Sequence, residues 1–404
     1  MSVSPARPAD TYSPLYFLAS LGAGGLAVTF FMSLLFWIPH PGQTVPVFED
    51  IARVFAGGST GLKLATAMAM AGIAVFAVLN LRALAWNLGA FARFRQTEGY
   101  ARLRASNGES ALLALPLALA MSVNVGFILG LVFVPGLWLI VEYLFPMAMV
   151  AFGLIGLLAL RQIGSFLGRV LSQGGSFDTG AHNSFAQMLP AFALAMVAVG
   201  FSAPAAMSGT PLTVGAALIL STFFGTAAVL YALVAGITAF GTMLQHGTAK
   251  EAAPTLMVVV PLMTVLGIMA LRQSHGLHTT FEGHASDGDT LMLLTRLLTV
   301  QVLFAALGML VLRRQGYFAE YLFGAKTSPG SYALVCPGVA LNVMIHFWLN
   351  KGLVPTGIVE KFSAGYWGIT LVALALQAAM IGLVLYLNRR HFARPVQPAL
   401  VPAE

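Results

Sequence analysis

The sequence predicts an all-α integral membrane protein with about ten transmembrane helices arranged as five helical hairpins. Of the 404 residues, 58% are hydrophobic and only 9% are charged, whereas soluble domains are about 25% charged. Runs of about 20 apolar residues, long enough to cross a hydrocarbon core of ~30 Å, recur along the whole chain. Four of these runs carry a proline at a similar depth, which indicates a repeated unit.

The apolar runs define the predicted helices. Helices 3 and 4 are separated only by a turn around 134–136, and helices 5 and 6 only by residues 208–211. Connections this short join antiparallel neighbours. We therefore expect one polytopic membrane domain over residues 1–404, with hairpins near 14–87, 110–160, 184–241, 253–312 and 329–388 and a cytoplasmic tail at 389–404. The ten predicted helices lie near 14–38, 61–87, 110–132, 136–160, 184–206, 212–241, 253–271, 288–312, 329–350 and 366–388.

All four regularly spaced prolines lie in odd-numbered helices, 74, 71 and 76 residues apart. A proline inside a helix costs roughly 3 kcal/mol, and a membrane helix tolerates it where neighbouring helices or a water-lined cavity satisfy the freed backbone. Helix 1 has a glycine cluster instead. We therefore expect kinked odd helices in an inner ring around a central pathway, and even helices outside it. The kink residues are Pro116, Pro190, Pro261, Pro337, Gly22, Gly24 and Gly25; the glycines could equally allow close helix packing.

The distribution of basic residues predicts the orientation. The termini and the loops after even helices hold 15 of the 21 lysines and arginines, and such residues concentrate in cytoplasmic loops. Both termini are therefore expected in the cytoplasm. The first 13 residues are polar and do not resemble a cleavable signal peptide. The net charge of +7 does not indicate nucleic-acid binding, because the basic residues lie in short loops of a protein whose main partner is the lipid bilayer.

The odd helices contain few polar side chains at membrane depth. No Asp, Glu, Lys or Arg lies in the middle of a predicted odd helix, which argues against a pump built on buried carboxylates and against a cation filter. A weakly polar pathway with a basic inner mouth suits a small anion. The same side chains could also bond the backbone or a neighbouring helix. The predicted pathway residues are Ser122, Asn124, Thr264, Asn342 and His346.

Two further features have open interpretations. Glu142 of helix 4 is either functional or paired with Arg296 of helix 8. The outer loop 272–289 places His275 and His278 near His284 and two aspartates, a weak metal pattern that a solvated loop explains as well. A short interfacial helix is expected near 48–55. We find no nucleotide, hydrolase or metalloprotease motif, and we expect no enzyme activity, catalytic residue, cofactor or metal.

Cys336 is the only cysteine and directly precedes Pro337. A buried cysteine usually packs as a small hydrophobic residue. The alternative is a reactive thiol exposed to the pathway, with the N–H groups of the kink favouring its thiolate.

Ten helices in five hairpins with kinked odd helices resemble the tellurite-resistance/dicarboxylate transporter family, which includes the slow-type anion channels. That resemblance covers nearly the whole chain and rests on architecture. It implies a central anion pore, a homotrimer, and a gating phenylalanine in the ninth helix, where Phe347 is the only one; Phe127 and Phe201 are alternatives. The segments LGAGGLAVTFFM (21–32) and LVCPGVAL (334–341) are similar to the TsoY family of bacterial membrane proteins. Some members carry selenocysteine, and the resemblance implies that Cys336 is its cysteine counterpart.

Two functions follow from these observations. The first is a channel or secondary transporter of the bacterial inner membrane that moves a small anion between the odd helices. The alternative is a membrane redox or thiol protein in which Cys336 reacts with a sulfur- or selenium-containing solute.

Overall fold

The structure, a computed structural model, contains helices and no strand over the residues that it describes, 11–173, 177–178, 180 and 183–393. Ten of its helices are long and apolar enough to cross a membrane. This confirms the prediction of an all-α, multi-pass membrane protein. We number the ten spans α1 to α10: Pro14–Trp37, Thr60–Phe94, Asn107–Phe133, Leu137–Ser172, Phe185–Met207, Pro211–His246, Lys250–Phe281, Asp287–Arg314, Pro329–Leu353 and Ala364–Phe392.

Hydrogen bonds join the beginning of one span to the end of the next, as between Tyr16 of α1 and Asn87 of α2 and between Tyr332 of α9 and Asn388 of α10, so we describe the protein by two faces. The loops that join each odd span to the next even span lie at one of them, which we call the loop face. The beginnings of the odd spans and the two described chain ends lie at the opposite face, which we call the terminal face. The predicted tail at 389–404 lies at this face as far as residue 393, and its remaining residues are outside the described part of the chain.

The four regularly spaced prolines lie near the beginnings of their helices. In each of these spans a 3-10 segment comes first and an α-helix follows it directly. The proline is the second residue of the α-helix that begins at Leu189, and the third residue of the other three α-helices. N–H groups in the first turn lack an α-helical acceptor, so a proline there costs little. Each proline of the predicted kinks therefore lies at a change of helix type near the terminal face. The 3-10 segments are Asn107–Leu113, Phe185–Met188, Lys250–Val258 and Pro329–Leu334.

The odd and even spans differ in burial. In the odd spans, 61–94% of the most apolar stretch is buried inside the protein, whereas the even spans have only 17–33% buried. Each odd span contacts the next odd span along the chain, and α9 also contacts α1. Every odd span contacts the even span that follows it. The surface available to lipid is therefore formed mainly by the even spans.

Polar side chains connect the odd spans to their even partners. Asn80 of α2 donates to the carbonyl oxygen of Ser20 in α1 at 2.8 Å. Gln301 of α8 donates to the carbonyl of Val260 in α7 at 2.9 Å. Because water is absent from the membrane interior, such amides are stabilised by helix–helix hydrogen bonds. These contacts hold each pair in register along its length.

Several helices extend beyond the boundaries that hydropathy predicts. Span α7 continues to Phe281 instead of ending near residue 271, and the predicted loop 272–289 shrinks to residues 282–286. Residues 272–281 are polar but contain no proline, so they lower the hydropathy without ending the helix. As a result, Arg272, His275 and His278 belong to the helix of α7 and not to a loop.

The loop after α1 contains the predicted short helix, which the structure places at Phe48–Gly57. Its buried Asp50 accepts a hydrogen bond from the Val47 backbone N–H at 2.9 Å and pairs with Arg53. The neighbouring Glu49 accepts from the Gly136 N–H at 2.7 Å. This helix is therefore tied to the turn between α3 and α4.

Glu142 of α4 binds the turn between α5 and α6 at the loop face. Its carboxylate accepts hydrogen bonds from the Ser208 hydroxyl at 2.7 Å, the Gly209 N–H at 2.6 Å and the Thr210 hydroxyl at 3.2 Å. Arg296 is exposed and forms no ion pair within the described part of the chain. The expected pair between Glu142 and Arg296 is therefore absent, because the turn between α5 and α6 supplies closer donors.

Candidate functional site

The main cavity has a volume of about 630 Å³ and is lined by all five odd spans. Span α4 adds three residues and span α8 adds two, and the loops after α1, α7 and α9 reach its rim. A volume of this size lies within the usual range of small-molecule sites, about 300–1,000 Å³. The cavity therefore lies where the mutually contacting odd spans surround a common space.

The cavity begins at the loop face and ends within the protein. Gln43 and Pro355 line its rim, whereas Gly22, Pro261 and Cys336 line its far end. The described lining residues include none from the 3-10 segments at the terminal face. Those segments are mostly buried and contact one another, so they form a layer between the cavity and the terminal face.

Most of the cavity wall is apolar. Methionine side chains from three spans contribute to it, and this residue type adapts to ligands of different shape. The methionines are Met32, Met121, Met196 and Met207.

Two phenylalanines project from helices that were expected to line a pathway. Phe127 stacks on Phe145 with ring centroids 6.0 Å apart, and Phe347 meets Phe36 edge to face at 5.5 Å.

A partly buried positive charge lies in the cavity wall. Arg272 of α7 donates from Nη1 to the carbonyl oxygen of Val199 in α5, at 2.9 Å. Among the described residues no carboxylate pairs with it. A guanidinium has five N–H donors, and the Val199 carbonyl uses one of them. The remaining donors can bind an anion in the cavity.

Other basic residues lie between Arg272 and the rim. His275, His278 and Lys351 line the cavity, and Asp287 is the only acidic residue among its described lining. Just outside the membrane spans, burial and the charge of Lys351 lower the pKa of Lys361. With the histidines neutral, the positive charges of Arg272 and Lys351 exceed the single negative charge of Asp287, so the described lining favours anions over cations.

Sequence reasoning missed Arg272, because hydropathy ended helix 7 one residue before it. The available signal was the segment that follows: residues 272–281 contain no proline and could continue the helix. Extending α7 by three turns moves a residue from a predicted outer loop into the cavity. Arg272 is thus the main addition that the structure makes to the candidate site.

About half of the predicted site residues line the cavity. Asn124 donates to the sulfur of Met196 at 3.7 Å, and Thr264 donates to the Ala340 carbonyl at 3.1 Å. Both polar groups therefore have a protein partner as well as a place in the wall. The predicted residues that line the cavity are Gly22, Gly25, Asn124, Phe127, Pro261, Thr264, Cys336 and Phe347.

The other predicted pathway residues pack between helices. Ser122 donates to Asn80 at 3.0 Å, and Asn342 donates to the Ala373 carbonyl of α10 at 2.7 Å. His346 is buried against Phe36, and its ring nitrogens have no hydrogen-bond partner within the described chain. These three side chains therefore join helices instead of lining the cavity.

The remaining kink and gate candidates also lie away from the cavity. Phe201 is buried against Phe152 and Phe224. A Cβ at Gly24 would lie 2.5 Å from Met121, so this glycine allows close packing. Pro116, Pro190 and Pro337 lie near the terminal face beside the 3-10 layer and are absent from the described lining.

Cys336 combines the two properties that the sequence left as alternatives. Its side chain is buried, with 9% of its surface exposed, and it lines the closed end of the cavity.

No group of three or more His, Cys, Asp or Glu side chains in the described chain could hold a metal ion. His278 and His284 are near each other, with ring centroids 6.0 Å apart, but they form no such group.

Comparison with protein-family models finds none that matches the chain, and comparison with curated proteins finds no match either.

Proposed function

We propose that this protein is a membrane channel or secondary transporter that moves a small anion through the cavity between the odd spans. The observation that carries the proposal is Arg272, a guanidinium in the cavity wall with no carboxylate partner in the described chain. An ionisable residue inside a membrane span is a candidate functional group. Here its unpaired charge favours an anionic solute.

The charge distribution supports an anion over a cation. Arg272 and Lys351 carry positive charge in the described lining, and a single acidic residue, Asp287, opposes them. A cation entering this space would lose hydration and face like charges, whereas an anion would gain hydrogen bonds from the guanidinium. The selectivity therefore comes from the wall and not from a ring of carboxylates.

The buried odd spans and their mutual contacts support the expected inner ring, built from five hairpins with the even spans outside.

The cavity reaches the loop face and ends before the 3-10 layer. Passage therefore requires that layer to separate, or its side chains to move. A change of this kind would make the layer the gate at the terminal face, with Phe127 and Phe347 as gate candidates inside the cavity.

The basic residues in the loops after even spans support an orientation with both termini in the cytoplasm. We further propose that the chain lies in a bacterial inner membrane. The resemblance to the tellurite-resistance/dicarboxylate transporters and to the TsoY family supports this placement, and the first of these also suggests a homotrimer. The loop face would then open to the outside of the cell.

The proposal can be tested by anion flux into proteoliposomes that contain the purified protein. The substrates are chloride, nitrate, acetate and succinate, and the variants are Arg272→Gln and Arg272→Lys. An anion of unit charge about 5 Å from the Arg272 guanidinium is attracted to it by about 3 kcal/mol, at an effective dielectric constant of about 20. Allowing for hydration of the cavity, Arg272→Gln should lower uptake about tenfold or more, and Arg272→Lys should lower it less.

Arg296→Gln is the matched control, because it removes the same charge from an exposed surface of α8. Its uptake should equal that of the unaltered protein. Lack of uptake for every anion, or equal uptake by Arg272→Gln, would contradict the proposal.

A second candidate function rests on the position of Cys336 in the cavity wall. In a membrane redox or thiol protein, this thiol would react with a sulfur- or selenium-containing solute that enters from the loop face. The variant Cys336→Ser separates the two functions. Unchanged anion flux together with loss of thiol-dependent turnover would favour the second function, whereas unchanged behaviour in both assays would exclude a chemical role for the thiol.

A further inference from the structure

We propose that the cavity binds an amphiphilic organic anion, with its carboxylate or other oxyanion head at Arg272 and an apolar body along the cavity wall. This inference rests on the proposed function and specifies its class of substrate. Three observations support it: the size of the cavity, the one arginine of its described lining, and the apolar lining between this arginine and the closed end.

The cavity is too large for an inorganic anion alone. Its volume of about 630 Å³ corresponds to roughly 20 water molecules at about 30 Å³ each. An inorganic ion would occupy a small part of this space and leave apolar walls in contact with water. A ligand with an apolar body would cover those walls and gain the free energy of removing them from water.

The position of Arg272 defines where the head of the ligand lies. Its guanidinium is held against α5 by the Val199 carbonyl, so its position is fixed before a ligand arrives. Its planar fork can bind a carboxylate through two parallel hydrogen bonds. A fixed donor of this kind costs little ordering when the ligand binds.

Lining residues one turn away from this head site are apolar on α5 and on the closed side of α7, whereas His275 lies one turn toward the rim. On α7, Ile268 lies one turn before Arg272 and lines the cavity. On α5, Met196 and Ala203 lie about one turn on either side of Val199 and also line it. The cation therefore lies between a polar rim and a mainly apolar inner part of the cavity, which suits a ligand that has one charged end and a hydrocarbon body.

Binding to the purified full-length protein tests the inference. Isothermal titration in detergent would compare acetate, butyrate, hexanoate and octanoate with chloride and nitrate. Burial of one methylene contributes about 0.8 kcal/mol, so affinity should rise about fourfold per methylene until the cavity is filled. Hexanamide, which has the same length without the charge, should bind at least tenfold more weakly than hexanoate.

Two variants separate the head site from the apolar wall. Arg272→Gln should remove the preference for hexanoate over hexanamide, and Arg272→Lys should keep much of it. Ile268→Thr should weaken hexanoate binding a few-fold and leave acetate unchanged. The comparison of hexanoate with hexanamide needs no variant, so the test remains informative if Arg272→Gln does not fold.

The possible results distinguish this inference from the proposed function. Chloride that binds as tightly as hexanoate, affinity that does not change with chain length, or equal binding of hexanamide would overturn the inference. Chloride flux in proteoliposomes could still be present in that case and would leave the proposed function standing. Tight, Arg272-dependent hexanoate binding without flux of any anion would support the inference and overturn the transport function.

Discussion

Residues 123–127 and 197–201 both read Val-x-Val-Gly-Phe, and the glycines of these two segments should respond differently to the same substitution. Gly126 in α3 and Gly200 in α5 occupy equivalent positions, ten residues after Pro116 and Pro190. A Cβ at Gly126 would have no atom within 4 Å, whereas a Cβ at Gly200 would lie 2.2 Å from the ring of Phe152. We therefore predict that Gly126→Ala is tolerated and Gly200→Ala is destabilising.

The size of the difference follows from two opposing effects. Replacing glycine by alanine in a helix contributes about 0.8–1.0 kcal/mol through helix propensity, and this contribution is common to both sites. Overpacking of a filled interior costs about 1–3 kcal/mol, and it applies only at Gly200. Phe152 is 4% exposed and also contacts Phe201, so its ring has little space to move. Gly200→Ala should therefore be about 1–3 kcal/mol less stable than Gly126→Ala.

Reversible denaturation in mixed detergent, followed by circular dichroism, measures the free energy of unfolding for both variants. A third protein, Gly200→Ala with Phe152→Leu, provides the direct test of the contact. Leucine removes the ring edge that the new methyl group meets, so the double variant should be more stable than the sum of the two single effects. Equal stabilities for the two alanine variants, or additive effects in the double variant, would refute this account of the packing.

Three further outcomes are expected. A small charged thiosulfonate reagent should label Cys336 in proteoliposomes from the loop face only, and labelling from both faces would contradict a closed terminal side. Glu142→Gln should lower the free energy of unfolding by about 1–3 kcal/mol, because it weakens charge-assisted hydrogen bonds to the turn between α5 and α6; a neutral effect would contradict those contacts. Hydrogen bonds from Lys250 and Lys326 lower the pKa of Glu320. A carboxyl group with a lowered pKa stabilises the fold above its unfolded pKa, and this stability is lost as pH falls through the folded pKa. The unaltered protein should therefore lose more stability than Glu320→Gln on acidification below about pH 4, and parallel pH profiles would refute the prediction.

Hydropathy was sufficient to predict the ten spans, because a membrane imposes one length and one composition on every crossing. It could not predict where the spans end. The polar segment 272–281 continues α7 because it contains no proline, and its helical bonds do not depend on apolar side chains. The same limit applies to the even spans α2, α4 and α6, which continue to Phe94, Ser172 and His246.

The candidate site was only partly predictable for a related reason. The proline spacing indicated which helices are equivalent, and those helices do line the cavity. Spacing does not specify which face of each helix points inward, because that depends on side chains from other spans. Ser122 is directed to Asn80 and Asn342 to the α10 backbone, and neither contact can be read from one helix alone.

The carboxylates of the loop face have a consequence for biosynthesis. Glu49 precedes the turn at Gly136 that it binds, and Glu142 precedes the turn at Gly209 that it binds. In both cases the acceptor leaves the ribosome before its donor. Each newly inserted helix pair therefore meets a binding partner that is already in the membrane, so the first three pairs can assemble in the order of their synthesis.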